Sequence, residues 1–108
     1  MNNLAERWHK FNALEQMGNI GSEVYRAFSW QKKGDEEHSQ QALTVALELF
    51  DLTLADPRWP KIKGRLKEIA RAREVFCDLF LGENEYNESP ESLMKYFDEF
   101  ALAARKDK

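Results

Sequence analysis

The spacing of apolar residues in the first third of the chain predicts one long helix. Between Leu4 and Phe28, apolar residues recur at steps of three and four, the period of one helix face. This predicted core face comprises Leu4, Trp8, Phe11, Leu14, Met17, Gly21, Val24 and Phe28. The prediction is a helix from about Asn3 to Lys32. Gly18 and Gly21 lie on or beside this face, and each costs about 1 kcal/mol of helix propensity relative to alanine. We expect a neighbouring helix or a large aromatic side chain to approach closely there, with a functional bend or a ligand contact as the alternative.

A second helix is predicted from its start and stop signals. Asp35 follows the turn Lys33-Gly34 and is a favourable N-cap, and the two glutamates after it place negative charge at the positive end of the helix. A wide apolar arc follows, so we expect this helix to be the most buried element. It should end at Ala55, because Pro57 and Pro60 cannot continue it.

Two further helices complete the pattern. The third is predicted to begin near Pro60 and to close at Gly82, and a polar loop follows it. Ser89 and Pro90 then supply an N-cap and a first helical residue for the fourth helix, whose last residues, 106–108, should fray.

Short connections between amphipathic helices make sequential helices antiparallel neighbours. The predicted fold is therefore all-α, an antiparallel up-down four-helix bundle in which residues 1–108 form a single domain. The composition agrees, because 43% apolar and 32% charged residues suffice for a core and a solvated surface.

The cellular setting is also constrained by the sequence. Cys77 is the single cysteine and lies in an apolar run, so we expect a small buried hydrophobe and no disulfide framework. No stretch approaches the roughly 20 apolar residues that cross a bilayer, and the N-terminus lacks an apolar signal core. We expect a cytoplasmic protein without membrane contact.

Motifs for catalysis or metal binding are weak. The segments 6–9 and 35–38 each place an acid three residues before a histidine, a spacing used by di-iron bundles. The two pairs would lie at opposite ends of an antiparallel hairpin, so they cannot share a metal. Neither histidine lies on an apolar stripe, and we predict both to be solvated. We expect no catalytic residue, metal or cofactor.

Charge placement in the third helix is the most distinctive feature. The segment from Arg58 to Arg73 contains seven basic residues against one acid, although the whole chain carries a net charge of -3. Cations at a helix N-terminus are disfavoured by about 0.3 to 1 kcal/mol each, so this placement breaks a local rule and is a candidate for function. The candidate binding patch comprises Arg58, Trp59, Lys61, Lys63, Arg65, Lys67, Arg71 and Arg73.

This basic patch has several interpretations. It could be a solvated face whose cations pair with Asp51 and Asp56, it could bring protomers together, or it could dock an acidic protein. Phosphate or single-stranded nucleic acid could also bind there through charge and stacking on Trp59, which we consider possible but do not favour. We expect a homo-oligomer or another protein as the partner.

Polar residues give a second candidate. A polar stripe on the first helix could be a solvated face or a polar interface with the third helix or with another protomer, and Glu23 can pair with Arg26 on it. The stripe comprises Asn12, Gln16, Asn19, Glu23 and Arg26. An unrecognised enzyme site near Arg71, Arg73, Glu74 and Asp78 is a third, less favoured hypothesis. The candidate polar cluster comprises Asn19, Glu23, Arg26, Glu74 and Asp78.

The outline of a long helical hairpin, an arginine-rich helix and a short last helix resembles the HEPN superfamily of small helical domains. That resemblance implies a dimer that acts beside a nucleotidyltransferase or in a toxin-antitoxin system, in some members with RNA cleavage. The family's ribonuclease motif is an arginine followed after several residues by a histidine. Here Arg73 is followed by Asp78 at that point, and no histidine occurs after His38, so no ribonuclease activity of that type is expected. We predict a non-enzymatic, self-associating interaction module in which the basic end of the third helix contacts an acidic partner. The alternative is an RNA-associated HEPN-like module of a nucleotidyltransferase or toxin-antitoxin type system.

Overall fold

The architecture is helical wherever the chain is described. A computed structural model describes the backbone of residues 4–58 and 64–106 and the side chains of residues 6–58, 64–100 and 102. These ranges contain no strand, and the predicted all-α class is confirmed for them. The helices are α1 (Leu4–Trp8), α2 (Ala13–Lys32), α3 (Glu36–Leu54), α4 (Arg65–Leu81) and α5 (Pro90–Lys106).

The predicted first helix is in fact two helices, so the prediction of a continuous helix was wrong. The chain leaves the helix after Trp8 and re-enters it at Ala13. Asn12 is the reason, because its side chain accepts a hydrogen bond from the backbone N–H of Glu15 at 2.8 Å, and the Glu15 carboxylate accepts one from the backbone N–H of Asn12 at 3.0 Å. This capping box satisfies two donors at the new helix start. Phe11, predicted on the core face, is consequently 37% exposed.

The start signals of α3 and α5 are confirmed. Asp35 caps α3, and its side chain accepts a hydrogen bond from the backbone N–H of His38 at 3.1 Å. Ala55 is the C-cap, as the two following prolines predict. Before α5, the hydroxyl of Ser89 accepts a hydrogen bond from the backbone N–H of Ser92 at 3.0 Å, and Pro90 is the first helical residue.

The predicted start of the third helix was wrong by several residues. Its predicted first residue, Pro60, lies with the rest of residues 59–63 outside the described part of the chain, and α4 begins only at Arg65. Gly64 precedes it with φ +80, a left-handed conformation that glycine adopts without steric cost. Because Gly64 has no side chain, α4 lacks the side-chain cap that opens α2 and α3. The predicted end at Gly82 is confirmed.

The core lies between four helices. α2 packs against α3 and α5, and α4 packs against the same two helices. Phe50, Phe76 and Phe97 are 1% exposed or less, and edge-on ring contacts connect Phe50 to Phe97 and Phe28 to Phe76. Aromatic side chains therefore carry much of the contact between α2, α3, α4 and α5.

The close approach expected at the glycines of α2 is confirmed at Gly21. A Cβ atom added to Gly21 would lie 2.6 Å from the Cβ atom of Phe97 on α5. Any larger residue would push the two helices apart, so this contact explains the glycine despite its cost in helix propensity.

Candidate functional site

Arg58, the first residue of the predicted basic patch, is held by contacts within the chain. Its Nη2 atom lies 2.5 Å from Oδ2 of Asp56 and donates a second hydrogen bond, at 2.8 Å, to the backbone carbonyl of Phe11. The Asp56 side chain is only 1% exposed. This geometry fits the pairing of patch cations with nearby acids that the sequence allowed, and it makes Arg58 part of the fold.

Asp56 belongs to a buried polar network around α1. Gln16 donates hydrogen bonds from Nε2 to Oδ2 of Asp56 at 3.0 Å and to the backbone carbonyl of Trp8 at 3.1 Å. The indole Nε1 of Trp8 donates to the hydroxyl of Thr53 on α3 at 2.8 Å. These contacts tie α1 and the start of α2 to the end of α3. We refer to Trp8, Gln16, Thr53, Asp56 and Arg58 as the buried network.

Hydrogen bonding in this network stabilises the charged form of Asp56. The side chain of Arg58 is the largest cause, and it holds the pKa of the Asp56 carboxyl well below its usual 3.8 although burial acts in the opposite direction. The same pairing raises the pKa of Arg58. Both shifts favour the ionised form of the pair.

The remaining described residues of the basic patch lie on α4. Nε of Arg73 is 3.1 Å from Oδ1 of Asp51 on α3, as the sequence allowed. Nε of Arg65 is 3.7 Å from Oε2 of Glu68 on its own helix. Arg73 and Arg65 are half-buried, whereas Arg71 and Lys67 are exposed. Trp59, Lys61 and Lys63, which complete the patch, lie outside the described residues.

Glu74 and Asp78 anchor the loop that follows α4. The hydroxyl of Tyr86 donates a hydrogen bond to Oε2 of Glu74 at 2.6 Å, which raises the pKa of Tyr86. The Asp78 carboxylate accepts hydrogen bonds from the backbone N–H groups of Glu85 and Tyr86, at 2.9 and 3.1 Å. The guanidinium of Arg71 lies over the Tyr86 ring, 5.6 Å from its centroid. Both acids thus have a positioning role that their sequence context did not reveal.

The other members of the predicted polar cluster lie on α2. Nη1 of Arg26 is 2.7 Å from Oε1 of Glu23, the pair that the sequence predicted, and Asn19 is exposed. The hydrogen bonds thus divide the cluster into a pair on α2 and the loop anchors Glu74 and Asp78 on α4.

A long groove runs between α2 and α5, and sequence reasoning missed it. Its volume is about 1180 Å³. Gly21 and Phe97 form a close contact between the two helices, and Tyr25 lines the groove with 60% of its surface exposed. The groove is lined by Gly18, Gly21, Ser22, Tyr25, Arg26, Phe28, Ser29, Gln31 and Lys32 on the α2 side, and by Pro90, Glu91, Met94, Lys95, Phe97 and Asp98 on the α5 side.

The residues considered for metal or covalent chemistry have other surroundings. Both histidines are exposed, as predicted, and the ring of His38 stacks on Trp30 with 4.6 Å between centroids. Cys77 is half-buried, and this burial raises the pKa of its thiol. Within residues 4–58 and 64–106, no group of three or more His, Cys, Asp and Glu residues could hold a metal ion.

The described residues thus form an all-α protein with two exposed basic residues, Lys67 and Arg71, on α4 and a groove between α2 and α5. No helix in the described ranges is long and apolar enough to cross a membrane. Comparisons with protein families, with curated proteins and with solved structures found no match to this chain.

Proposed function

We propose that this protein is a non-enzymatic, cytoplasmic interaction module that self-associates and contacts an acidic partner through the exposed basic side of α4. The observation that supports this proposal is the placement of Lys67 and Arg71. Both side chains are exposed, and their separation of four residues makes them neighbours on one side of the helix.

The contact is assigned to these two residues because they are the exposed members of the patch on α4, where Arg71 lies over the Tyr86 ring and Arg65 and Arg73 are half-buried. Arg58 pairs with the buried Asp56, and Arg73 pairs with Asp51. An acidic partner competes poorly for Arg58, because its guanidinium already donates several hydrogen bonds inside the protein. The exposed pair of Arg73 with Asp51 is exchanged more readily, so Arg73 can add to the contact without carrying it. Lys67 and Arg71 supply charge that steers an acidic partner towards α4 and sets its orientation.

The fold that accompanies this proposal is an up-down antiparallel bundle formed by α2, α3, α4 and α5. Two features support it. The connections 33–35 and 82–89 are short, and each of the four helices packs against two others of the set. In such a bundle α4 has one side in the core and leaves the side with Lys67 and Arg71 to solvent.

Fluorescence anisotropy with a labelled polyglutamate peptide of about 20 residues tests the α4 contact. Charge reversal by Lys67→Glu with Arg71→Glu should weaken peptide binding tenfold or more, because two attractive pairs become repulsive. The control is Arg7→Glu with Lys10→Glu, which makes the same change in net charge at exposed positions outside α4. Equal peptide binding by the wild type and the α4 variant would contradict the proposal.

A labelled polyuridine of similar length, used in the same assay, tests the RNA-associated alternative. The stacking of Arg71 on Tyr86, which is 41% exposed, is the observation that favours this alternative, since exposed aromatic rings and arginines stack with bases. RNA bound more tightly than polyglutamate, with a steep loss of affinity between about 50 and 200 mM salt, would replace the acidic-protein proposal.

A further inference from the structure

The two walls of the groove between α2 and α5 carry different charges. The α2 wall presents the cations Arg26 and Lys32, of which Arg26 also pairs with Glu23 on its own helix. The α5 wall presents two acids, Glu91 and Asp98, with one cation, Lys95. A surface with one cationic and one anionic side is complementary to a copy of itself.

We propose that the occupant of this groove is a second copy of the chain, with α2 of each copy lying against α5 of the other. This inference rests on the self-association in the proposed function and assigns it to a surface. A twofold axis that runs along the groove places each cationic wall opposite the anionic wall of the other copy, and the same contacts then form twice. The charges thus favour pairing with a second copy over pairing with a uniformly acidic molecule.

Tyr25 provides the apolar anchor for this interface. Tyrosine is enriched among the residues that dominate binding energy, because a large ring and a polar hydroxyl bury together. Tyr25 is 60% exposed although α2 is one of the helices that form the core. The nearby lining residues Gly18, Gly21 and Ser22 are small, so they leave space in the groove beside α2. The ring of one copy can therefore enter the groove of the other, above Met94 and Phe97.

The size of the groove face indicates a weak dimer. α2 has 20 residues and is about 30 Å long, and two adjacent helices are about 20 Å wide, which gives a footprint of about 600 Å². Stable interfaces bury about 800 Å² per partner, so this face is at the lower limit. We expect a dimer that dissociates on dilution within roughly 1 to 500 µM.

Sedimentation of charge-reversed variants, alone and mixed, tests the arrangement. Because Arg26 is already paired with Glu23, Lys32→Glu gives the α2 wall a net negative charge, and Glu91→Lys with Asp98→Lys makes the α5 wall basic. In a dimer of either variant alone, like charges face each other at both contacts. We expect its self-association to be at least tenfold weaker than that of the wild type. In a mixed dimer with one copy of each variant, unlike charges face each other at both contacts, so association should return to the wild-type level.

Three controls make the result specific. Lys10→Glu changes the net charge as Lys32→Glu does, but at an exposed residue outside the groove, and should leave the dimer intact. Tyr25→Ala should weaken association without lowering the free energy of unfolding, since the side chain is exposed in the monomer. Helicity measured by circular dichroism verifies that each variant is folded.

The outcomes separate this inference from the proposed function. Association that persists unchanged in both charge-reversed variants would overturn the groove assignment and leave self-association in place. Monomeric wild-type protein at about 500 µM would overturn both self-association and the groove assignment. Polyglutamate binding that is lost in the α4 variant but retained in Lys32→Glu would show that the acidic-partner contact is independent of the groove.

Discussion

Two arginine–aspartate pairs, Arg58 with Asp56 and Arg73 with Asp51, have the same chemistry in different surroundings. The Asp56 side chain is 1% exposed and accepts further hydrogen bonds from Gln16 and from the backbone N–H of Arg58. In the other pair, the Arg73 and Asp51 side chains are 33% and 64% exposed. Both arginines belong to the same basic segment, yet the carboxylate is accessible to solvent in only one of these two pairs.

The contrast teaches how one charged segment can serve both the fold and the surface. Arg58 supplies the charged partner of a carboxylate that is otherwise buried with only the Gln16 amide beside it, so it stabilises the local structure of the chain after α3. Arg73 lies at a boundary with water, where an ion pair is readily exchanged for water or for a partner's acid. Burial of the acid, more than the count of cations, therefore decides which arginines can take part in binding.

The substitution Asp56→Asn should have the largest effect on stability. It removes the charge that accepts hydrogen bonds from Arg58 and Gln16, and leaves a buried amide facing donors. Breaking a fully buried ion pair costs about 3 to 5 kcal/mol, and because Arg58 is 44% exposed we expect a loss of about 2 to 4 kcal/mol in the free energy of unfolding. Urea denaturation measures it, and a loss below about 0.5 kcal/mol would mean that the two pairs are equivalent.

Much of the helical fold was predictable because the relevant signals are local. Asp35 and Ser89 cap α3 and α5 through side chains that act within three residues of their own position. The capping box of Asn12 and Glu15 is equally local, but the apolar spacing continues through it, so the prediction joined α1 to α2. Trp8 shows why the spacing misled, since it is buried without belonging to the helix that follows.

The candidate surfaces were less predictable, because they depend on contacts between residues far apart in the chain. The excess of cations from Arg58 to Arg73 is visible in the sequence, and Asp51 and Asp56 were named as possible partners. The buried Asp56 accepts a hydrogen bond from Gln16, which is 40 residues away. The sequence placed Gln16 in a polar stripe of the first helix and gave no sign of this contact. The groove likewise lies beside the contact of Gly21 with Phe97. The glycines of α2 indicated a close approach, but no local pattern identified Phe97 of α5 as the residue that makes it.

Acid should weaken the buried pair selectively. The pKa of Asp56 is lower in the folded protein than its ordinary value of 3.8, so the unfolded chain takes up a proton first as the pH falls. The stabilising contribution is complete above about pH 5 and declines by up to about 1.4 kcal/mol for each unit below pH 3.8. Urea denaturation at pH 6, 5, 4 and 3 should show the difference between wild type and Asp56→Asn narrowing as the pH falls.

A constant difference across that pH range would contradict the assigned pairing. Other carboxylates do not confuse the comparison. Hydrogen bonds from His38 lower the pKa of Asp35 as well, so this group also contributes less to the free energy of unfolding as the pH falls. Because Asp35 is present in both proteins, its contribution cancels in the difference between wild type and variant.

The smallest effect is expected for Asp51→Asn, which makes the same chemical change in the exposed pair. Exposed ion pairs contribute about 0.2 to 1 kcal/mol, and the partly exposed Arg73 side chain still reaches water after it loses its charged partner, so we expect a loss of at most about 0.5 kcal/mol. The variant also removes an acid near the basic side of α4, and polyglutamate binding should therefore rise slightly. Urea denaturation and anisotropy measure the two quantities on one sample. A loss as large as that of Asp56→Asn would show that solvent exposure does not distinguish the pairs, and would remove the basis for separating structural from binding arginines in this segment.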